Sequence, residues 1–145
     1  MVVYNLVSFV YDKTSGFFNV QLQYELSNEI KTDTKQFKQL GSADLYIKNS
    51  KKSWLLNVLE NWLLDIKTIL ETNPDEKKEN VFKNVWLIYE EFINCELHII
   101  CERILKGEKY LMDLPPCKTD NNCHNLKRLQ QILSFCKTEC EAMKF

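Results

Sequence analysis

The residue pattern predicts an α+β protein: an N-terminal β-hairpin and a short third strand, ββ(α)β, followed by three main α-helices. Three observations carry this reading. Residues 2–12 and 17–26 are rich in Val, Phe, Tyr and Leu and are joined by the turn Asp12-Lys13-Thr14-Ser15-Gly16. Residues 74–106 carry apolar side chains at helical spacing on two lines. Residues 123–143 repeat Leu126, Leu129, Leu133, Cys136, Cys140 and Met143 at intervals of three and four, a heptad-like seam.

In the hairpin, Gly16 can take the left-handed conformation that closes such loops. Phe18, Val20, Leu22, Tyr24 and Leu26 alternate with Asn19, Gln21, Gln23 and Glu25, so the second strand has one buried and one wet face. The first strand reads as apolar on both faces, with Val3, Val7, Phe9 and Tyr11 opposing Tyr4, Leu6 and Val10. That pattern predicts a central strand or one lying under a partner. Ile30, Phe37 and Leu40 suggest a short helix within 27–42 ended by Gly41, and the alternation of Ala43 to Lys48 suggests a short edge strand.

A helix is expected from Ser50 or Ser53 to about Glu71, with Leu55, Val58, Leu59, Trp62, Ile66, Ile69 and Leu70 on one apolar face and Leu56, Leu63 and Leu64 beyond it. Pro74 breaks it. Asn73-Pro74-Asp75-Glu76 then reads as an N-cap, a first-turn proline and two carboxylates favoured by the helix dipole. The next helix runs to Gly107 and pairs with its predecessor as an antiparallel hairpin. Its lines are Val81, Val85, Ile88, Phe92, Cys95, Ile99 and Phe82, Trp86, Tyr89, Ile93, Leu97, Ile100, Ile104; two apolar lines require two buried sides. Tyr110 to Leu114, Pro115-Pro116 and the polar turn Lys118–Asn122 lead to the last helix. A single domain over 1–145 is expected, with 1–49 forming the sheet and 50–145 the helical part.

The chain has 145 residues, 45% hydrophobic and 27% charged, with net charge −1. Such a balance gives no general attraction to nucleic acid or anionic membrane, so neither nucleic-acid binding nor membrane insertion is expected. Its three glycines, Gly16, Gly41 and Gly107, are too far apart for a phosphate-cradling loop. Charged residues from Glu90 to Arg103 interrupt the most apolar segment, which argues for a buried helix over a membrane span. Met1–Tyr11 lacks the basic start and small-residue cleavage site of a leader, and no Asn-x-Ser/Thr acceptor occurs. These features predict an intracellular protein of the cytoplasm or nucleus.

All six cysteines lie in the second half. Reduced, mostly buried thiols are the favoured reading, since Cys95, Cys136 and Cys140 fall on apolar seams. A zinc site built from Cys117, Cys123 or His124, Cys136 and Cys140 competes with it, although the spacings match no common zinc pattern. A disulfide framework is the third reading. No cofactor is expected; zinc is the metal these residues would suit. His98 and Glu102 share a helical face, and Glu90, Glu91, Glu96 and Glu102 form a carboxylate stripe. Neither matches a metal or catalytic motif, and a solubilising stripe explains the carboxylates.

The lysines between 31 and 52 lack the arginines of a nucleic-acid patch. Trp54, read as lying at a helix start beside two lysines, is the candidate interface anchor, with Leu56 and Leu63 as neighbours in the surplus apolar surface. The functional expectation is a non-enzymatic protein–protein interaction module, an adaptor or subunit of an intracellular assembly, binding another protein or a second copy as a dimer. The alternatives are a secreted, disulfide-bonded helical modulator of cytokine type and a small zinc- or thiol-dependent module.

Overall fold

In the computed structural model, which describes residues 4–26, 29–114 and 124–142, β1 (Tyr4–Asp12), β2 (Phe17–Leu26) and β3 (Glu29–Phe37) form an antiparallel sheet in the order β1-β2-β3. The helices are α1 (Leu40–Thr72), α2 (Glu76–Phe92), α3 (Leu97–Lys106), α4 (Glu108–Met112) and α5 (His124–Ala142). This is the expected α+β class. By compactness the chain forms two units, Met1–Trp54 and Leu55–Phe145, whose boundary falls inside α1.

The first unit begins with the expected hairpin. Gly16 has φ +76° and donates its N–H to the Asp12 carbonyl at 2.8 Å. The Asp12 carboxylate accepts from the Thr14 N–H at 2.9 Å and the Ser15 hydroxyl at 3.0 Å. These bonds lower its pKa, the Thr14 contact most. β2 is the central strand, and Val20 and Leu22 meet Ala43 and Ile47 of α1 in a small core flanked by Tyr4, Phe9, Phe18, Phe37 and Tyr46.

β1 is an edge strand, which corrects the expectation of a central one. Its register slips between Leu6 and Ser8, leaving Val7 as the extra residue of a bulge. Tyr4 and Leu6 before the bulge, and Phe9 and Tyr11 after it, all lie opposite Tyr24, Leu22, Val20 and Phe18. Directly opposed residues share a face. One inserted residue therefore rephases the alternation, so that a strand whose paired apolar residues, Val10 excepted, share one face reads as apolar on both.

Residues 29–48 also depart from expectation. The segment expected to hold a short helix is the third strand, and Ala43–Lys48, expected as a strand, lies within α1. The apparent alternation there contains Ala43 and Ile47, spaced i, i+4, which is one face of a helix; both are buried while Leu45 is exposed. Thr32 and Thr34, unfavourable to the expected helix, suit a strand. Gly41 lies within the first turn of α1 and does not end a helix.

In the second unit the expected continuous helix over 74–106 is broken. Asp75, not Asn73, caps α2 by accepting from the N–H groups of Lys77 and Lys78. α2 ends at Phe92, and tight i, i+3 bonds from Asn94 to Glu91 and Cys95 to Phe92 turn the chain before α3, which Glu96 precedes in an extended conformation without a side-chain capping bond. Ile, Asn and Cys are all weak helix formers, and three in succession let the turn compete.

α1 and α2 still meet as a helical hairpin. The Tyr89 hydroxyl donates to Glu60 Oε2 at 3.1 Å, joining points about equally far from the turn. α3 packs along α5, and Arg128 Nη1 of α5 lies 2.6 Å from Asp65 Oδ2 of α1. Trp62, Leu63, Ile66, Ile100 and Ile132 are among the fully buried side chains. The Pro115-Pro116 crossover and the Lys118–Asn122 turn lie outside the described residues.

Candidate functional site

The two edges of the sheet are built differently. β1 reads Tyr-Asn-Leu-Val-Ser-Phe-Val-Tyr before its first charge, Asp12, and contains neither proline nor lysine. Leu6 (40%), Val7 (47%), Val10 (56%) and Tyr11 (49%) are all substantially exposed. An edge strand also presents a row of backbone donors and acceptors, and natural sheets usually protect it with charge, proline or a covering element. The bulge at Val7 is the protective device observed on β1.

β3 carries the protection that β1 lacks. Glu29, Lys31, Asp33 and Lys35 lie on one face, and Ile30, Thr32, Thr34 and Gln36 on the other. Lys31 Nζ is 2.8 Å from Glu29 Oε2, which lowers the Glu29 pKa and raises that of Lys31. The Tyr24 hydroxyl donates to Asp33 Oδ2 at 3.1 Å. Burial, followed by this bond, pushes the Tyr24 phenol up.

Trp54 is not the surface anchor expected of it. Its exposure is 4%, its Nε1 donates to the Glu25 carbonyl at 2.8 Å, and its ring lies 6.3 Å from that of Tyr4. The physical reason is the length of α1: with the helix beginning at Leu40, Trp54 lies well inside it, where its indole closes over β2. Leu63 is fully buried and Leu56 half-buried. Neither Trp54 nor Leu63 is thus open to a partner.

The expected chemical clusters resolve into separate contacts. His98 Nδ1 faces Glu96 Oε2 at 3.4 Å, while Glu102 pairs with Lys106 at 2.8 Å. Glu91 takes Arg103 at 2.9 Å, and Glu90 accepts from Trp86 Nε1 at 2.8 Å. Cys95, Cys101, Cys136 and Cys140 are not joined in disulfides. Cys101 and Cys136 are fully buried on the packed faces of α3 and α5, and a hydrogen bond with Cys101, followed by burial, pushes the Cys136 thiol up. Cys117, Cys123 and the His124 side chain lie outside the described residues. Among the described residues no group of three His, Cys, Asp or Glu is placed to hold a metal, and no helix is long and apolar enough to cross a membrane.

An apolar cleft in the second unit is lined by Leu59, Val85, Phe92, Ile104 and Leu111, with Arg103 stacked on Phe92 at 5.1 Å. It encloses about 40 Å³, space for a water or two and far below the hundreds of cubic ångströms typical of cofactor pockets. β1 is therefore the more prominent candidate. Its surplus apolar character is visible in the sequence, but that it lies at an open edge is not. No protein family, curated protein or solved structure matches this chain.

Proposed function

We propose that this chain is a non-enzymatic protein–protein interaction module, an adaptor or subunit of an intracellular assembly, whose partner adds an extended strand to the open edge of β1. The observation that carries the reading is the uncharged run from Tyr4 to Tyr11 with Leu6, Val7, Val10 and Tyr11 exposed along it. Strand addition suits such an edge, since main-chain hydrogen bonds supply affinity and alternate side chains supply specificity. Val7→Lys together with Val10→Lys tests it: both side chains are exposed, so the fold should persist within about 0.5 kcal/mol per site. Photo-crosslinking from a diazirine amino acid at Ser8 in the native cell extract, which needs no lysine, should capture a protein with the wild-type edge and lose it in the double variant. Adducts retained at β1 in the double variant, with normal circular dichroism, would reject the reading.

A second reading is supported by one contact. The Cys101 and Cys136 thiols meet between α3 and α5, and oxidation would join them as a disulfide, as in a secreted helical modulator. Native mass spectrometry of the unreduced protein, followed by alkylation under denaturing conditions without reductant, separates the two. Six labelled cysteines without bound metal support the intracellular module, blocked thiols without metal support the secreted one, and a bound zinc would favour the zinc-dependent alternative.

A further inference from the structure

The charges on β3 form a pattern that simple edge protection does not require. They alternate in sign along one face, Glu29, Lys31, Asp33, Lys35, and the order is self-complementary when the strand is turned end for end about Thr32. We propose that two copies of the chain pair their β3 edges antiparallel about a two-fold axis at Thr32, with Glu29 opposite the partner subunit's Lys35 and Lys31 opposite the partner subunit's Asp33. The symmetry repeats both contacts, giving four oppositely charged pairs and one six-stranded sheet.

Charge complementarity selects this register against its neighbours. Sliding one strand by two residues sets Lys31 against the partner subunit's Lys31 and Glu29 against the partner subunit's Asp33. Sliding it the other way opposes Lys31 to the partner subunit's Lys35 and Asp33 to the partner subunit's Asp33. Like charges directly opposite each other destabilise a strand pair. A one-residue slip sends each side chain to the wrong face. In a parallel, in-register pairing every charge would meet its own kind.

The remaining features are compatible with the two-fold. On the other face Thr32 meets itself, a favourable cross-strand pair, and Ile30, which is 61% exposed, meets the partner subunit's Thr34. Nine residues of β3 offer an edge about 30 Å long. Within one chain Lys31 pairs with Glu29 across solvent, an exposed contact of small energy that can be exchanged for the cross-strand one. An isologous contact of this kind closes after two copies and does not propagate into a fibre.

The pairing uses β3 and is independent of the β1 reading, so each can fail alone. Sedimentation of the wild-type protein should give twice the chain mass, with the association weakening as salt is raised. Lys31→Glu with Lys35→Glu makes the edge wholly acidic, and Glu29→Lys with Asp33→Lys makes it wholly basic. Each double variant alone should dissociate at least about tenfold more readily, and an equimolar mixture of the two should restore a heterodimer. Val7→Lys with Val10→Lys should leave the dimer intact.

Because Asp33→Lys also removes the Tyr24 bond, a gentler variant gives a second reading. Thr32→Cys should form an intermolecular disulfide between the two residues 32 under mild oxidation, located by peptide mass mapping, whereas Ile30→Cys should not link to itself. A monomeric wild-type protein, charge-reversed variants that remain dimeric, or equal self-linking at positions 30 and 32 would overturn the proposal.

Discussion

Gly16 shows how one residue sets a turn. Its φ of +76° is a conformation that side chains rarely adopt, even though open space surrounds the position where a Cβ would stand. The penalty of Gly16→Ala is therefore backbone strain rather than a clash, and it should destabilise the hairpin by about 1 kcal/mol in urea unfolding. Trp54 carries a different load. Trp54→Phe keeps most of the ring but leaves the Glu25 carbonyl without its indole donor, which should cost about 1–3 kcal/mol; no change would mean that the bond contributes nothing net. Tyr89 gives a pH signature. Burial, then its bond to Glu60, pushes the phenol up to about 12, whereas an unfolded tyrosine titrates near 10. The folded chain thus keeps a proton that the unfolded chain releases. This stabilisation is present below about pH 10 and is lost as pH rises through the folded value. The urea midpoint of the wild type should fall more steeply across that window than that of Tyr89→Phe, and parallel slopes would rule out a contribution from Tyr89.

At the scale of elements, the two sheet edges and the α3–α5 contact make separate demands. β1 is uncharged until Asp12 and interrupted by a bulge, while β3 is charged throughout, so the same sheet offers an edge open to pairing and an edge selective for register. In the helical unit, Cys101 and Cys136 are sealed between helices, whereas Cys95 and Cys140 are partly exposed. Burial shields both thiols from reagent, and the raised pKa of Cys136 slows it further because the thiolate is the nucleophile. Iodoacetamide under native conditions should label Cys95 and Cys140 first and leave Cys101 and Cys136 until denaturant is added. Early labelling of Cys136 would show that α3 and α5 separate readily. The helix break at Ile93–Glu96 belongs to this scale as well: periodicity continues across it, and only the competing tight turn ends α2.

For the whole molecule, the unequal cores suggest an order of unfolding. The described core of Met1–Trp54 rests on Val20, Leu22, Ala43 and Ile47 with partly buried aromatics around them, and so small an assembly is only marginally stable. Leu55–Phe145 buries Trp62, Leu63, Ile66, Ile100, Ile132 and more. Variants retaining only Trp54 or only Trp62 should therefore report different urea midpoints, with Trp54 changing first. Coincident transitions would mean that the shared helix α1 couples the units into one cooperative step.

The α+β class, the hairpin with its left-handed Gly16, and the last helix with buried Leu129, Leu133 and Cys136 were all legible in residue order, because each depends on short-range spacing and turn chemistry. The surplus apolar character of β1 was legible too. Its cause was not: a bulge is a property of the pairing between two strands, and nothing local distinguishes Val7 from its neighbours. Ala43–Lys48 misled for a related reason, since six residues can satisfy a two-residue period and an i, i+4 pair together, and the choice depends on whether the buried face meets a sheet. Trp54 was misplaced by that same error, because the start of α1 decides whether its indole reaches solvent or Glu25. Composition and periodicity thus decided what this chain is made of, a short sheet followed by apolar helices. Tertiary pairing decided which apolar surface is left uncovered, because exposure is settled by long-range contacts that local spacing does not encode.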